Sequence, residues 1–180
     1  MTRVWDALVR SLHWLLAACV CVAWASGHWS SRWFEEIHHT AGYVAAAVVA
    51  VRITWGFVGG RYARFVQFVR GPRAVWAYTR ELFAGREPRH VGHNPLGGVM
   101  ALALLACVAG LGVSGWLSLT DAYWGDPVVS GVHEVLAWAL LALVMLHLAG
   151  VVFTSLRHRE NLVRAMFDGR KPAPGPHDVA

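Results

Sequence analysis

Charge is what this sequence has least of. Asp, Glu, Lys and Arg together make up 15% of its 180 residues, where an ordinary soluble domain carries about 25%. Hydrophobic residues account for 56%, and the mean hydropathy is +0.42. Neither a disordered chain nor a typical soluble domain has that balance. Cysteine is scarce too. Cys19, Cys21 and Cys107 all fall inside apolar runs, with no CxxC pair and no CxxCH. That pattern excludes a disulfide framework and covalent haem attachment, and the three read as small packing residues. Internal repeats and low-complexity segments are absent as well.

What the sequence has is apolar length. Runs from Leu12 to Gly27, Ile37 to Val58, Pro95 to Leu119 and Val132 to Leu156 are each long enough, or nearly so, to cross a bilayer as a helix. Four such helices use about half the chain and leave no room for a separate soluble domain. The expected fold is therefore an all-α integral membrane four-helix bundle, one domain over 1–171, followed by a disordered tail over 172–180. The loops give it an orientation. Arg61, Arg64, Arg70, Arg73, Arg80, Arg86 and Arg89 lie between the second and third runs, and Arg157, Arg159, Arg164, Arg170 and Lys171 follow the fourth. The other two loops carry Arg32 beside Glu35, Glu36, Asp121 and Asp126. Positive charge concentrates on the cytoplasmic side of a membrane protein. Both termini and the long middle loop are thus expected in the cytoplasm, with the protein multi-pass in its membrane. The same asymmetry accounts for the net charge of +5 without a nucleic-acid partner. Pro72 to Ala84 within the middle loop is amphipathic, as expected of a helix lying on the lipid surface.

Ionisable residues at membrane depth are costly and usually functional. His13 sits near the inner end of the first helix, His38 and His39 open the second on the outer side, and His133 opens the fourth, with His147 further along it. Fourteen residues separate His133 from His147, roughly 21 Å of helix and only ~40° short of four full turns. The two imidazoles share a face at two depths, and each depth has a histidine on another helix: His38 or His39 outside, His13 inside. A neutral imidazole is a good axial ligand for haem iron, and two of them leave no open site for oxygen. Paired histidines therefore suit electron transfer. Zinc would need about four ligands in one shell, more than either depth offers. Arg52, fourteen residues after His38, shares its face and either pairs with a haem propionate or snorkels to the interface. His28, His90, His158 and His177 fall in loops or tail and read as solvated.

The residues Leu12-His13-Trp14, Ile37-His38-His39-Thr40-Ala41-Gly42-Tyr43 with Arg52, Gly71-Pro72-Arg73, Gly92-His93-Asn94-Pro95-Leu96-Gly97, Gly115-Trp116, and His133 with His147 closely resemble the bacterial four-helix dihaem b-type cytochromes. That group includes prokaryotic cytochrome b-561 and the b-type subunits of nickel-iron hydrogenases and formate dehydrogenases. The likeness spans roughly residues 3 to 171. In the family the helix-two ligand lies four residues before a glycine, here Gly42, so the resemblance selects His38 over His39. It implies two haem b groups: an outer one on His38 and His133, an inner one on His13 and His147. Ser114-Gly115 stands where hydrogenase-type members usually have Thr-Gly.

The resemblance further implies electron transfer between a periplasmic redox partner and membrane quinone. The partner class is a hydrogenase, a dehydrogenase or a c-type cytochrome. An alternative within the same group is a stand-alone superoxide:quinone oxidoreductase. Net acidic outer loops favour docking of a basic protein over capture of superoxide. For quinone, Gly97 and Gly98 leave room for a flat ring beside Asn94, whose amide can bind a carbonyl oxygen. Asn94 stands equally well as the cap of the helix that Pro95 begins.

Overall fold

The structure is a computed structural model that describes residues 1–29, 31–176 and 178–179; of the histidines named above, His177 lies outside them. The elements run β1 (Thr2–Arg3), α1 (Ala7–Ser26), α2 (Arg32–Val58), α3 (Phe65–Phe68), α4 (Pro72–Phe83), α5 (Pro95–Ser118), α6 (Pro127–Arg157), α7 (Leu162–Asp168) and β2 (Arg170–Lys171). Among the described residues, α1, α2, α5 and α6 are long and apolar enough to cross a membrane. At ~1.5 Å per residue they measure about 30 to 46 Å, against a hydrocarbon core of about 30 Å. Only 6% of the most apolar stretch of α6 is buried, so its apolar surface suits lipid.

α5 begins where its apolar run begins, at Pro95, whereas α1, α2 and α6 begin ahead of theirs, at Ala7, Arg32 and Pro127. Polar caps set the start of α1 and α6. The N–H of Val9 donates to Asp6 Oδ1 at 2.8 Å ahead of α1. Asp126 Oδ1 accepts from Val128 and Val129 at 2.8 and 3.0 Å around Pro127, the first residue of α6. These carboxylates satisfy amide donors that a helix N-terminus leaves open.

The chain divides into two compact units. One comprises Ser11–Ile53 and Ala103–Met145, hereafter the ligand unit. It holds segments of all four long helices around Cys19, Ala45, Val49, Cys107, Val108 and Leu140. Small residues let backbones approach closely in such a bundle. Trp24 of α1 meets Trp138 of α6 edge-on, with centroids 5.0 Å apart.

The other comprises Met1–Arg10, Thr54–Leu102 and Leu146–Ala180, hereafter the terminal unit. Its core is Val4, Trp5, Val9, Ala63, Val91 and Ala165. β1 pairs antiparallel with β2, a two-residue ladder that hydropathy does not show. It joins the segments ahead of α1 and after α7, which share this unit with the middle loop. Gly169 closes α7 at φ 76, a left-handed turn that glycine adopts without strain. There its carbonyl accepts from Val4 and Trp5.

The segment after residue 171 departs from the expected disorder. Val179 N–H donates to Arg89 C=O and Val91 N–H to Val179 C=O, both at 2.9 Å, and Asp178 pairs with Arg89. Arg89 also binds Glu160 at 3.0 Å, and Lys171 Nζ binds the other Glu160 oxygen at 2.9 Å. Composition cannot show such a pin, because its partners lie 71 to 89 residues away. Burial pushes the Lys171 ammonium below its ordinary pKa, with Glu160 opposing the shift. His90 is likewise half-buried rather than solvated, edge-on to Tyr78 with centroids 5.4 Å apart.

Candidate metal centre

His38, His39 and His133, whose rings meet, all lie inside the ligand unit. The turn after α1 places the carbonyl of Ala23 against α2, where it stands 2.8 Å from His38 Nδ1. A carbonyl only accepts, so Nδ1 carries the proton and the lone pair of His38 sits on Nε2. From α5, Ser114 Oγ stands 2.9 Å from His133 Nδ1 and 3.3 Å from the Leu111 carbonyl. With the hydroxyl proton directed to Leu111, the oxygen is left to accept from His133 Nδ1–H, and the Leu111 carbonyl is a second acceptor for the same ring. His133 also presents its lone pair at Nε2.

The two rings lie with centroids 6.0 Å apart and planes inclined by 70°. An iron between two imidazole nitrogens, each about 2 Å from it and about 1 Å ahead of its ring centre, sets the centroids about 6 Å apart. The spacing leaves room for an iron between the two rings, as does that between His38 and His39, and in the His38–His133 pair both Nδ1 atoms are occupied. Glycines back both rings. A Cβ on Gly27 would lie 3.0 Å from His38 Cε1 and Nδ1, and one on Gly115 would lie 3.2 Å from His133 Cε1. The ring of His39 lies 6.1 Å from that of His38. Among the described residues there is no group of three or more His, Cys, Asp or Glu that could hold a metal ion. A two-imidazole set suits a metal whose remaining ligands come from a macrocycle.

The other expected site residues fall as follows. His13, half-buried on α1, has its ring edge-on to Trp14, and Arg52 is half-buried on α2; both belong to the ligand unit. His147 on α6 and Asn94 ahead of α5 belong to the terminal unit. Asn94 Oδ1 accepts from Gly97 N–H at 2.7 Å, so Asn94 caps α5. Its oxygen is committed to the helix, and a quinone contact would fall to Nδ2. Ser114 received no role from sequence. Its link to His133 joins two helices across 19 residues, and no periodicity signals it.

Four apolar helices with histidines packed against one another suit a class, the haem-binding membrane proteins of electron transport known as helical b-type cytochromes. This chain belongs to the prokaryotic cytochrome b561 family, whose profile matches residues 4–169. Among similar proteins, the "Probable Ni/Fe-hydrogenase B-type cytochrome subunit" of Bradyrhizobium diazoefficiens is 25% identical over 209 aligned positions, covering 93% of this chain and 85% of the relative. That of Azotobacter vinelandii is 26% identical, with 92% and 86% covered. The "Probable Ni/Fe-hydrogenase 1 B-type cytochrome subunit" of Escherichia coli K12 is 32% identical over 116 positions, about half of each chain. No solved structure matches the chain.

Proposed function

We propose that this chain is a dihaem b-type cytochrome that carries electrons across the bacterial inner membrane between a periplasmic redox protein and the quinone pool. The His38–His133 pair carries the reading: both rings have their Nδ1 atoms engaged and their centres 6.0 Å apart. Bound haem supplies a one-electron ferric–ferrous couple at each site. His38 and His133 would hold the outer iron, and the sequence spacing and the family resemblance offer His13 and His147 for the inner one. α6 supplies one ligand to each site, His133 and His147 on one helix face. Arg52 offers its guanidinium to a propionate of the inner haem. Asn94 contributes its Nδ2 amide to a quinone site beside the head of α5.

Topology follows the arginines. Both termini and the middle loop share the terminal unit, as an even number of crossings requires, and the positive-inside tendency assigns them to the cytoplasm. The loops opposite carry Arg32 against Glu35, Glu36, Asp121 and Asp126. Such a surface attracts a basic redox protein and repels an anion such as superoxide. The relatives' names point to a hydrogenase as partner; a dehydrogenase or a c-type cytochrome fits the same surface.

The test is made on protein purified from membranes. A b-type spectrum, reduction by a quinol or reoxidation by a quinone, and co-purification of a periplasmic redox subunit are expected. Failure of the haem to exchange electrons with quinone in either direction would overturn the quinone assignment. A C-terminal reporter fusion active only in the periplasm would overturn the topology.

A further inference from the structure

We propose that Ser114 is a positioning residue that sets the electron-donating strength of His133, and through it the midpoint potential of the haem held by His38 and His133. The inference rests on the ligand assignment above.

The two imidazoles differ in that only His133 has a side-chain hydroxyl among its acceptors, beside the main-chain carbonyl of Leu111. His38 Nδ1 is bound to a main-chain carbonyl, that of Ala23, at 2.8 Å. His133 Nδ1 is bound to a side-chain hydroxyl at 2.9 Å. Ser114 is not a freely rotating hydroxyl. Its proton is directed to Leu111 C=O at 3.3 Å, and its backbone carbonyl accepts from Ser118 Oγ at 2.9 Å. The residue is 5% exposed, so water does not readily take the place of the oxygen. Gly115, the next residue, leaves room for the His133 ring on the same helix. The Ser114-Gly115 dipeptide thus orients one imidazole through two adjacent positions.

A hydrogen bond from the outer nitrogen of a ligating imidazole raises the basicity of the nitrogen on the metal. A more basic ligand stabilises the ferric state over the ferrous one and lowers the potential. The chain His133 Nδ1–H to Ser114 Oγ–H to Leu111 C=O strengthens the acceptor, since hydrogen bonds in series polarise one another. Without the hydroxyl, His133 donates less electron density.

The experiment is a spectroelectrochemical redox titration of detergent-purified holoprotein carrying Ser114→Ala, Ser114→Thr or His133→Ala. Ser114→Ala is expected to keep its haem and raise one potential. The shift should reach up to tenfold in the ferric-to-ferrous ratio, which is about 59 mV for one electron, while the second haem stays unchanged. Ser114→Thr keeps a hydroxyl that can bond the preceding turn and should titrate as wild type. Unchanged potentials in Ser114→Ala, equal shifts of both haems, or a Thr variant that shifts as far as Ala would each overturn the proposal. If Ser114→Ala loses haem, Ser114→Cys, with a weak acceptor of similar shape, becomes the readout, and a wild-type potential there overturns it. His133→Ala separates the ligand assignment from the role of Ser114. Full haem retention in that variant refutes the ligand assignment, whereas loss of one haem leaves the assignment standing and Ser114 alone on trial.

Discussion

Replacing Gly27 by Ala tests how tightly the backbone holds the imidazole of His38. The added methyl would lie 3.0 Å from both His38 Cε1 and Nδ1, and 3.1 Å from the Ala23 carbonyl. Comfortable carbon contacts are about 3.5–4.0 Å, so the ring must retreat by at least about 0.5 Å. It cannot do so freely, because Nδ1 is held 2.8 Å from that same carbonyl. Overpacking of this kind costs about 1–3 kcal/mol, or roughly five- to 150-fold in retention of the haem on His38 and His133 at ~1.4 kcal/mol per decade. Gly115→Ala places its methyl 3.2 Å from His133 Cε1 and should cost less. The assay is the rate of haem loss to excess apomyoglobin, followed by absorbance in detergent. The expected order is Gly27→Ala fastest, then Gly115→Ala, then wild type. Wild-type kinetics for Gly27→Ala would refute the argument that these glycines make room for ligand rings.

Three further outcomes concern the terminal unit. Glu160→Gln leaves Arg89 and Lys171 without their shared buried carboxylate, and breaking a buried pair costs about 3–5 kcal/mol; limited proteolysis should release the segment after residue 171 at lower temperature than in wild type, and unchanged cleavage would contradict the pin. Glu87 is held below its ordinary value of 4.5 chiefly by the Arg157 hydrogen bond, and Asp178 below 3.8 chiefly by the Gly175 N–H. Folded values below unfolded ones give stability that is present above pH 4.5 and lost as pH falls through the folded values, so the melting temperature should drop on acidification below pH 4.5, and a profile flat down to pH 3 would refute this. Asn94→Ala removes the α5 cap and should cost about 1 kcal/mol, read by thermal denaturation; Asn94→Asp retains the capping oxygen, so impaired quinone turnover in that variant with normal stability would mark Nδ2 as the quinone contact, and normal turnover would discard it.

How far the sequence carried depended on the range of each interaction. Four membrane helices were legible because hydropathy is local. The starts of α1 and α6 were not, because Asp6 and Asp126 lie outside the apolar runs they precede. His133 and His147 stood out as polar residues at membrane depth, and periodicity gave their shared face. The choice of His38 over His39 needed a family resemblance, since the two are adjacent on α2. The Nδ1 partners of the ligands were beyond reach. The Ala23 carbonyl is a backbone atom that any residue supplies, and Ser114 looks like any small helix residue until α6 is packed beside it. The pin on the segment after residue 171 was missed for the same reason, since Arg89, Glu160 and Asp178 meet only in three dimensions.

The central claim is that two pairs of histidines hold two haems in one chain. A pyridine haemochrome assay on purified wild-type protein and on the His13→Ala, His38→Ala, His39→Ala, His133→Ala and His147→Ala variants tests it most directly. Two haem b per polypeptide are expected in wild type and in His39→Ala, and about one in each of the other four. One haem or none in wild type, or equal loss in His38→Ala and His39→Ala, would contradict the claim.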